Sequence, residues 1–388
     1  MESYLDNAAT TRVYDTVKEA CINAMCVDYG NPSSKHRKGM QAEVMIKEAT
    51  ELIAKSLKVE PKELIFTSGG TESNNMALIG AAMANQRAGK HIISTKIEHA
   101  SVHNPLIYLE EQGFRVTYLD VDQLGHVNMQ QLEDAICDET ILVSIMYVNN
   151  EIGAVEDIEK IAKVIKAKKP EVLFHVDAIQ AYGKYKIYPK RLGIDLMSVS
   201  GHKIHGPKGS GFLFVRDRVK VKPIIYGGEQ QRGMRSGTEN VPAIVGLAKA
   251  VEEIYTDHEK KINDLYELKA ELIRKLKEID GVTINGISDQ IDLRETAPHI
   301  VSASFAGVRA EVLLHALEDC EVYVSSGSAC SSNHPGLSGT LKAIGVKDEI
   351  LDSTIRFSFS VHTTMEEVDY AVEKCKELLP KLRLFIRK

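Results

Sequence analysis

The chain has 388 residues, with 54 acidic and 48 basic side chains, so its formal net charge is −6 at neutral pH. It is long enough for two domains, its bulk charge gives no reason to expect nucleic-acid binding, and no stretch approaches the roughly 18 apolar residues of a membrane span. The start, MESYLDNAATT, lacks the basic residues and apolar run of a secretory signal, and the six cysteines include no CxxC pair. We therefore expect a reduced, cytoplasmic protein that contacts neither nucleic acid nor membrane directly.

Seven short apolar runs alternate with helical patterns between about residues 45 and 220. They are KELIFTS, KHIIST, RVTYLDV, TILVSIMYV, EVLFHVDA, DLMSVSG and GFLFVR. Their content of Val, Ile, Leu and Phe is typical of strands buried on both faces. The alternation of strand and helix predicts an α/β fold with a mostly parallel, seven-stranded sheet between layers of helices.

A long helical region begins after Asn240 with VPAIVGLAKAVEEIYTDHEKKINDLYELKAELIRKLKEI. Its length predicts either two helices or one helix that spans between domains. The rest of the chain alternates short strand and helix patterns, which predicts a smaller α+β domain at the C-terminal end. We place the large domain at residues 13–255, and the small domain at residues 1–12 and 256–388.

Polar residues and glycines follow several predicted strands, at the edge where parallel α/β sheets bind their ligands. Gly69, Gly70 and Thr71 lead from the first run into a helix, whose free N–H groups and dipole favour a phosphate. A simple capped helix start explains the same three residues equally well. His99 follows the second run as a candidate for ring stacking or acid–base chemistry, although a histidine at a strand end often has only a structural role.

A lysine and an aspartate add to this set. Lys203 follows the sixth run, and lysine is the amine that condenses with carbonyl groups. Asp177 ends the fifth run, where a carboxylate would keep a pyridinium nitrogen protonated. A phosphate cradle, a lysine, an aspartate and a histidine are together what pyridoxal 5′-phosphate (PLP) requires. A metal site at His202 and His205 is not expected, because the residues beside them are not ligands and no carboxylate lies close in sequence.

Ten motifs occur along the chain in the order found in one enzyme family. They are YLDNAATT, YGNPSSKHRKG, SGGTESNN, IEHASV, VNNEIG, HVDAIQ, SGHKIHGPKGSG, RSGTEN, SSGSAC and IRFSFS. By these motifs the chain resembles the NifS/IscS-like cysteine desulfurases, in the class-V branch of the fold-type-I PLP enzymes. The resemblance runs from residue 4 to about residue 370. It implies a PLP-dependent transferase that removes sulfur from L-cysteine and leaves L-alanine.

The resemblance also implies how PLP is held. Lys203 matches the lysine that binds the cofactor covalently, and His99 matches the histidine stacked on its ring. Asp177 matches the partner of the ring nitrogen, and Gln180 matches the partner of the ring hydroxyl. The implied phosphate contacts are Gly70, Thr71, Ser200, His202 and, across the interface of a homodimer, Thr238. The resemblance therefore implies a homodimer with shared sites.

Substrate and sulfur contacts are implied in the same way. Asn150 and Arg356 match the pair that grips the substrate carboxylate, for which the planar fork of arginine is suited, and Asn150 is also an implied cofactor contact. Cys330 in SSGSAC matches the nucleophile that takes the sulfur as a persulfide. Its neighbours are small and polar, unlike the aliphatic surroundings of inert buried cysteines. The sulfur would then pass to an acceptor protein for iron–sulfur cluster assembly or for tRNA or cofactor thiolation.

Other functions fit parts of the pattern. An aminotransferase needs no thiol, so Cys330 argues against it, whereas a selenocysteine lyase shares this layout and stays open. A non-catalytic scaffold would be indicated by the loss of Lys203, Asp177 or His99, and all three are present. The residues after the cysteine, SSNHPGLSGTLKAIG, lack the LxPSxVL run familiar in many family members, which leaves the choice of acceptor open.

Overall fold

The structure is a computed structural model that describes residues 1–326 and 337–384. The strands in these ranges are β1 (Ser3–Tyr4), β2 (Leu64–Thr67), β3 (His91–Thr95), β4 (Arg115–Leu119), β5 (Thr140–Met146), β6 (Leu173–Asp177), β7 (Leu196–Ser200), β8 (Gly211–Val215), β9 (Val282–Asn285), β10 (Ile300–Phe305), β11 (Val322–Tyr323), β12 (Ser325–Ser326) and β13 (Thr354–Ser358). The α-helices are α1 (Asp15–Cys26), α2 (Arg37–Leu57), α3 (Gly70–Asn75), α4 (Ala81–Asn85), α5 (Ala100–Glu111), α6 (Met129–Ala135), α7 (Ile158–Lys168), α8 (Val241–Tyr255), α9 (His258–Leu276), α10 (Ala310–Glu318), α11 (Gly339–Ala343) and α12 (Met365–Arg383). A π-helical turn, Met76–Gly80, joins α3 to α4.

The seven predicted apolar runs form one large sheet, with the strand order β2-β8-β7-β6-β5-β3-β4. Neighbouring strands from β7 to β4 in this order pair in parallel. Strand β8 runs antiparallel to both of its neighbours, β2 and β7. The prediction of a mostly parallel, seven-stranded α/β sheet is therefore confirmed.

Side chains from the large sheet enter two separate apolar cores, one on each face. Ile93 and Val143 belong to one core, and their neighbours Ile92 and Leu142 belong to the other. This follows from the two-residue period of a strand, which sends successive side chains to opposite faces. Helices α2, α7 and α8 cover the first face, and α5 and the α3–α4 segment cover the second. Both faces need apolar residues, which is why the strands read as continuous apolar runs.

A second, smaller sheet lies in the C-terminal part of the chain and has the order β12-β13-β10-β9, with antiparallel pairing. Its apolar core is distinct from those of the large sheet and is formed with α9, α10 and α12. The N-terminal strand β1 pairs in parallel with β11, and Leu5 packs in this same core. The start of the chain therefore joins the smaller α+β part, although it precedes the large sheet in sequence.

The long helical region after Asn240 forms two helices, α8 and α9. Between them Asp257 has a φ of +49°, a left-handed conformation that interrupts an α-helix. The structure thus selects the first of the two predicted alternatives. None of the helices in the described ranges combines the length and the apolar character that a membrane crossing needs.

Candidate active site

A cavity of about 320 Å³ lies where the parallel strands of the large sheet end. This volume is typical of small-molecule sites. Its wall comes from the residues after β2, β3, β5, β6 and β7, from the N-terminal segment, and from β12 and β13 of the small sheet. All of the predicted site residues other than Thr238 and Cys330 line it: Gly70, Thr71, His99, Asn150, Asp177, Gln180, Ser200, His202, Lys203 and Arg356.

The glycine turn after β2 builds one part of this wall. Gly69 has a φ of +144°, a backbone conformation that residues with side chains rarely adopt. Gly70 begins α3, and a Cβ atom there would lie 2.2 Å from Cδ1 of Ile179, so a side chain would collide with that residue. Thr71 lies in the first helical turn, where N–H groups have no partner within the helix. These N–H groups favour an anion at this position.

The turn after β7 adds two further polar groups. Ser200 is the last residue of β7 and is buried, and Gly201–Lys203 form a single 3₁₀ turn. Nδ1 of His202 lies 3.2 Å from the hydroxyl oxygen of Thr10. Burial and nearby lysine side chains lower the pKa of His202 to about 4. Its ring is therefore neutral at physiological pH and contributes hydrogen bonds instead of charge.

Asp177 ends β6 in the cavity wall and is 4% exposed. Its Oδ1 accepts a hydrogen bond from the backbone N–H of Ile179 at 2.9 Å, and its Oδ2 accepts one from Nδ2 of Asn74 at 2.8 Å. Burial raises the pKa of this carboxyl group, and the two hydrogen bonds oppose the shift. A carboxylate in this setting is a strong acceptor for a proton on a ligand nitrogen.

His99 lies at the start of α5, next to the same wall. Its Nδ1 accepts a hydrogen bond from the backbone N–H of Ser101 at 3.1 Å and lies 2.8 Å from the hydroxyl oxygen of Ser101. Burial lowers the pKa of the imidazole, and the charge of Asp177 opposes this shift. The ring is therefore neutral near pH 7.

Lys203 and Gln180 both reach the N-terminal segment. Nζ of Lys203 donates to the backbone carbonyl oxygens of Ala8 at 2.6 Å and Ala9 at 2.7 Å. Nε2 of Gln180 donates to the same Ala8 carbonyl at 2.9 Å. On its other side, Oε1 of Gln180 lies 3.1 Å from Nε2 of the buried His299, which precedes β10. The Gln180 amide is thus held between the N-terminal segment and the small sheet.

Arg356 in β13 brings a charge from the small sheet into the wall and is 6% exposed. Its Nη2 donates to Oδ1 of Asp6 at 2.8 Å, and its Nη1 donates to the backbone carbonyl of Asn150 at 2.8 Å. A buried guanidinium at a cavity is suited to bind a carboxylate. The structure therefore brings the two predicted carboxylate contacts, Arg356 and Asn150, together.

The described chain stops and resumes near the cavity. Ser325 and Ser326 form β12 and line the wall. The description resumes at residue 337. Shortly after it, Ser338 and Thr340 donate from their hydroxyl groups to the carboxylate of Glu151, which also lines the cavity. Cys330, the predicted nucleophile, lies outside the described residues.

Thr238 is the described site residue that the structure does not bring to the others. It is exposed and lies outside the cavity wall, in the segment between β8 and α8. Its predicted phosphate contact, across the interface of a homodimer, stays a prediction.

Among the residues that were assigned no role from sequence, Asp6, Asn74 and Ser101 contact the predicted site residues directly. Asp6 pairs with Arg356, Asn74 donates to Asp177, and Ser101 contacts His99. Each stands in one of the recognised motifs, YLDNAATT, SGGTESNN or IEHASV. A polar residue inside such a motif that contacts no ligand is a candidate to support one that does, and this signal could have identified all three.

Comparison with known proteins gives a consistent result. A family model described as "Aminotransferase class-V" matches residues 3–371. The chain is 44% identical over 385 residues to "Cysteine desulfurase IscS" of Vibrio vulnificus, an alignment that covers 98% of this chain and 93% of that protein. Among solved structures, "NIFS-LIKE PROTEIN" is similar with a TM-score of 0.92 and 38% identity, covering 98% of this chain and 100% of the other. "SspA in complex with cysteine" is similar with a TM-score of 0.78 and 33% identity, covering 93% and 100%.

Proposed function

This chain belongs to the cysteine desulfurase family of the class-V aminotransferases and is a PLP-dependent enzyme, and we propose that it transfers the sulfur of L-cysteine to Cys330. The products are L-alanine and a persulfide on the enzyme. The observation that supports this proposal most strongly is that Lys203, Asp177 and Arg356 face one cavity. Together they offer an amine, a proton acceptor and a carboxylate site within reach of one small molecule.

The residues of the large sheet fit PLP. The helix start at Gly70 and Thr71, with Ser200 and His202, supplies hydrogen-bond donors for a phosphate. Asp177, buried and hydrogen-bonded, is suited to hold a proton on the ring nitrogen, and Gln180 presents its amide for the ring hydroxyl. When bound, PLP supplies an electron-accepting ring that makes the Cα–H bond of an amino acid acidic.

Lys203 and His99 are the groups we assign to proton transfer. The Lys203 amine would hold the cofactor covalently in the resting enzyme and would carry protons to and from the substrate carbons during turnover. His99 lies in the wall with a neutral ring, and imidazole is the side chain whose ordinary pKa suits proton exchange near neutral pH. Both groups line the cavity in which the amino acid would bind.

Arg356 and Asn150 orient the substrate. The Arg356 guanidinium is buried beside the cavity and is fixed by Asp6 and by the Asn150 carbonyl. A substrate carboxylate bound there places the cysteine side chain on a defined side of the molecule. The arrangement selects an α-amino acid over a simple amine.

Cys330 takes the sulfur. Its thiolate attacks the substrate Sγ, an S–S bond forms, and the substrate C–S bond breaks with its electron pair moving to carbon. That carbon then takes up a proton and becomes the methyl group of alanine. Ser326 lines the cavity and precedes Cys330 by four positions. Four residues of chain reach at most about 14 Å, so the covalent connection allows the thiol to meet the substrate.

We also propose that the enzyme is a homodimer, in which Thr238 completes the phosphate site of the other subunit. The two N-terminal helices expose neighbouring apolar side chains, Ile22 and Met25 on α1 and Met40 and Val44 on α2. Tyr226, in the same exposed segment as Thr238, is 77% exposed. Apolar side chains grouped in this way favour a protein interface.

The destination of the sulfur forms part of the proposal. A persulfide must be passed to another thiol before the enzyme can turn over again. We propose a cytoplasmic acceptor protein for iron–sulfur cluster assembly or for tRNA or cofactor thiolation. The name IscS on the relatives supports an acceptor of this kind.

Replacing the proposed nucleophile tests this function. The holoenzyme is supplied with L-cysteine and a thiol reductant, and alanine and sulfide are measured. Cys330→Ser should lower both products by roughly 10³-fold or more and should keep the visible absorbance of bound PLP. Cys26→Ser, at an exposed cysteine that is assigned no role in the reaction, should behave as the wild type. Wild-type alanine and sulfide production by Cys330→Ser would disprove the assignment.

A further inference from the structure

Two donors from Ser101 converge on one ring nitrogen of His99. The backbone N–H of Ser101 lies 3.1 Å from Nδ1, and the Ser101 hydroxyl oxygen lies 2.8 Å from the same atom. A backbone N–H group only donates, so the neutral imidazole accepts at Nδ1. Its single proton then belongs on Nε2, for which the described residues provide no hydrogen-bond partner. Nε2 is therefore the ring atom that remains for molecules in the cavity.

The direction of the Ser101 hydroxyl is set by Asn74. Asn74 is fully buried, and its Nδ2 donates both to the Ser101 hydroxyl oxygen at 2.9 Å and to Oδ2 of Asp177 at 2.8 Å. The carboxylate of Asp177 only accepts, so the NH₂ group of the amide, and not its oxygen, faces this side. The Ser101 oxygen accepts from Asn74, which leaves the hydroxyl proton to point at Nδ1 of His99.

We propose that Asn74 and Ser101 are positioning residues that fix His99 as the neutral tautomer protonated on Nε2. The tautomer follows from these hydrogen bonds alone, whereas its effect on catalysis rests on the proposed function. With Nε2 already protonated and Nδ1 held by Ser101, neutral His99 offers the cavity a donor. Losing that proton would leave an imidazolate anion, so the neutral ring can accept a proton, for example from a thiol, only at Nδ1 and at the expense of the hydrogen bond from the Ser101 N–H. The relay from Asn74 through Ser101 to His99 therefore favours His99 as a donor at Nε2 and disfavours it as the base.

The surroundings of His99 support this assignment. The charged groups that act on its ring are Asp177, which favours the protonated form, and Lys203 and Arg356, which oppose it. Burial also disfavours the charged ring. A second proton on Nδ1 would in addition break the hydrogen bond from the Ser101 backbone N–H. The ring is therefore neutral, and the hydrogen bonds from Ser101 to Nδ1 decide which of its two nitrogens carries the proton.

Nuclear magnetic resonance of the histidine ring nitrogens tests the proposal directly. The protein is labelled with ¹⁵N-histidine, the His99 signals are identified by their loss in His99→Gln, and the holoenzyme is compared with the apoprotein. The wild type should show an unprotonated Nδ1 and a protonated Nε2 in both forms. A protonated Nδ1 in the wild type would overturn the proposal.

Variants of the two positioning residues provide the second arm. Ser101→Ala keeps the backbone N–H but loses the hydroxyl, so the other tautomer should become detectable and kcat/KM for cysteine should fall about tenfold, the value of one hydrogen bond. Ser101→Thr keeps a hydroxyl and should restore both. Asn74→Ala should resemble Ser101→Ala, and Asn104→Ala, an exposed asparagine on α5, should match the wild type.

The outcomes separate this proposal from the proposed function. Unchanged nitrogen signals in Ser101→Ala would overturn the relay, whatever the activity. The expected tautomer in a protein that shows no desulfurase activity would support the relay and contradict the proposed function. If Asn74→Ala does not fold, the pair Ser101→Ala and Ser101→Thr decides the result.

Discussion

The ends of the large-sheet strands and the facing edge of the small sheet meet at one cavity, but they offer it different chemistry. The large sheet and its loops supply the residues proposed to hold PLP, among them Asp177 and Lys203. The small sheet supplies Arg356, which is suited to a carboxylate, and the strand that leads toward Cys330. The two regions thus correspond to proposed cofactor binding on one side and to proposed substrate binding and sulfur transfer on the other.

The two regions are also held differently. Asp177 takes its hydrogen bonds from Asn74 and Ile179, which belong to the large sheet and its helices. Arg356 takes its partners from outside the small sheet, namely Asp6 of the N-terminal segment and the carbonyl of Asn150. Asp177 is therefore braced from within the large-sheet region, whereas Arg356 depends on contacts between elements. Mutations should separate the two roles.

The largest effect is expected on the cofactor side, from Lys203→Ala. Loss of the amine removes the covalent attachment of PLP and a proton-transfer group, so desulfurase activity should fall by about 10³-fold. Dialysis should also strip the cofactor absorbance from the variant faster than from the wild type. Lys208→Ala, at an exposed lysine five residues on in the sequence, is the matched control. Full activity in Lys203→Ala would contradict the role of Lys203 in cofactor attachment and proton transfer.

On the substrate side, Arg356→Gln should raise KM for cysteine by about 100-fold, because charge-assisted hydrogen bonds contribute about 1.5–3 kcal/mol. PLP binding, followed by absorbance, should stay near the wild-type level. The change also leaves the partly buried Asp6 without its partner, which should cost about 1–2 kcal/mol of stability. The double variant Asp6→Asn with Arg356→Gln should recover stability but not KM. A large loss of PLP in a folded Arg356→Gln variant would show that the two sides are not separable.

His299 links the two regions, because it precedes strand β10 of the small sheet and contacts Gln180 on the cofactor side. His299→Leu removes one buried hydrogen bond and should weaken PLP binding to the apoprotein by up to about tenfold, as measured by absorbance titration. His299→Asn keeps a donor near Gln180 and should lose less. Equal PLP affinity in His299→Leu and wild type would show that the small-sheet region does not contribute to PLP binding through His299.

The smallest effect concerns the stability of the small-sheet region. Lys269 is buried in α9, where its Nζ donates to the hydroxyl of Thr296 at 2.6 Å and to the carbonyl of Ala297 at 2.7 Å, and burial lowers its pKa to about 7. In the unfolded chain a lysine has a pKa of about 10.4. Between these values the unfolded chain binds more protons, so the contribution of Lys269 to stability rises with pH and is at its lowest, and constant, below about pH 7.

The free energy of unfolding of Lys269→Met, relative to that of the wild type, should therefore be highest below about pH 7. The variant's advantage in the free energy of unfolding should shrink by about 1.4 kcal/mol per pH unit above that value. Urea unfolding of both proteins at several pH values between about 6 and 9 measures this difference. A difference that does not change with pH would mean that Lys269 stays charged in the folded protein.

Much of the fold follows from local patterns in the sequence. The seven strands of the large sheet were found because each is a short apolar run, and such runs are what a sheet buried on both faces requires. The break between α8 and α9 carries no comparable signal, since it depends on the left-handed backbone of Asp257. The division at residues 255 and 256 stays a prediction.

The site shows the same limit. Lys203, Asp177 and His99 were identified because strand ends and family motifs mark them, and the structure places all three at one cavity. The roles of Asn74 and Asp6 were missed because their partners are 103 and 350 residues away in sequence. No local pattern encodes which buried amide meets which carboxylate, and only the packed structure shows it.

The central claim is that sulfur from cysteine ends on Cys330. Mass spectrometry of peptides from the holoenzyme, after brief exposure to L-cysteine without reductant and blocking of thiols, tests it most directly. We predict one added sulfur atom on the peptide that contains Cys330, in an amount equal to the alanine released in the first turnover. Alanine release with the added sulfur on another cysteine, or on none, would contradict the account.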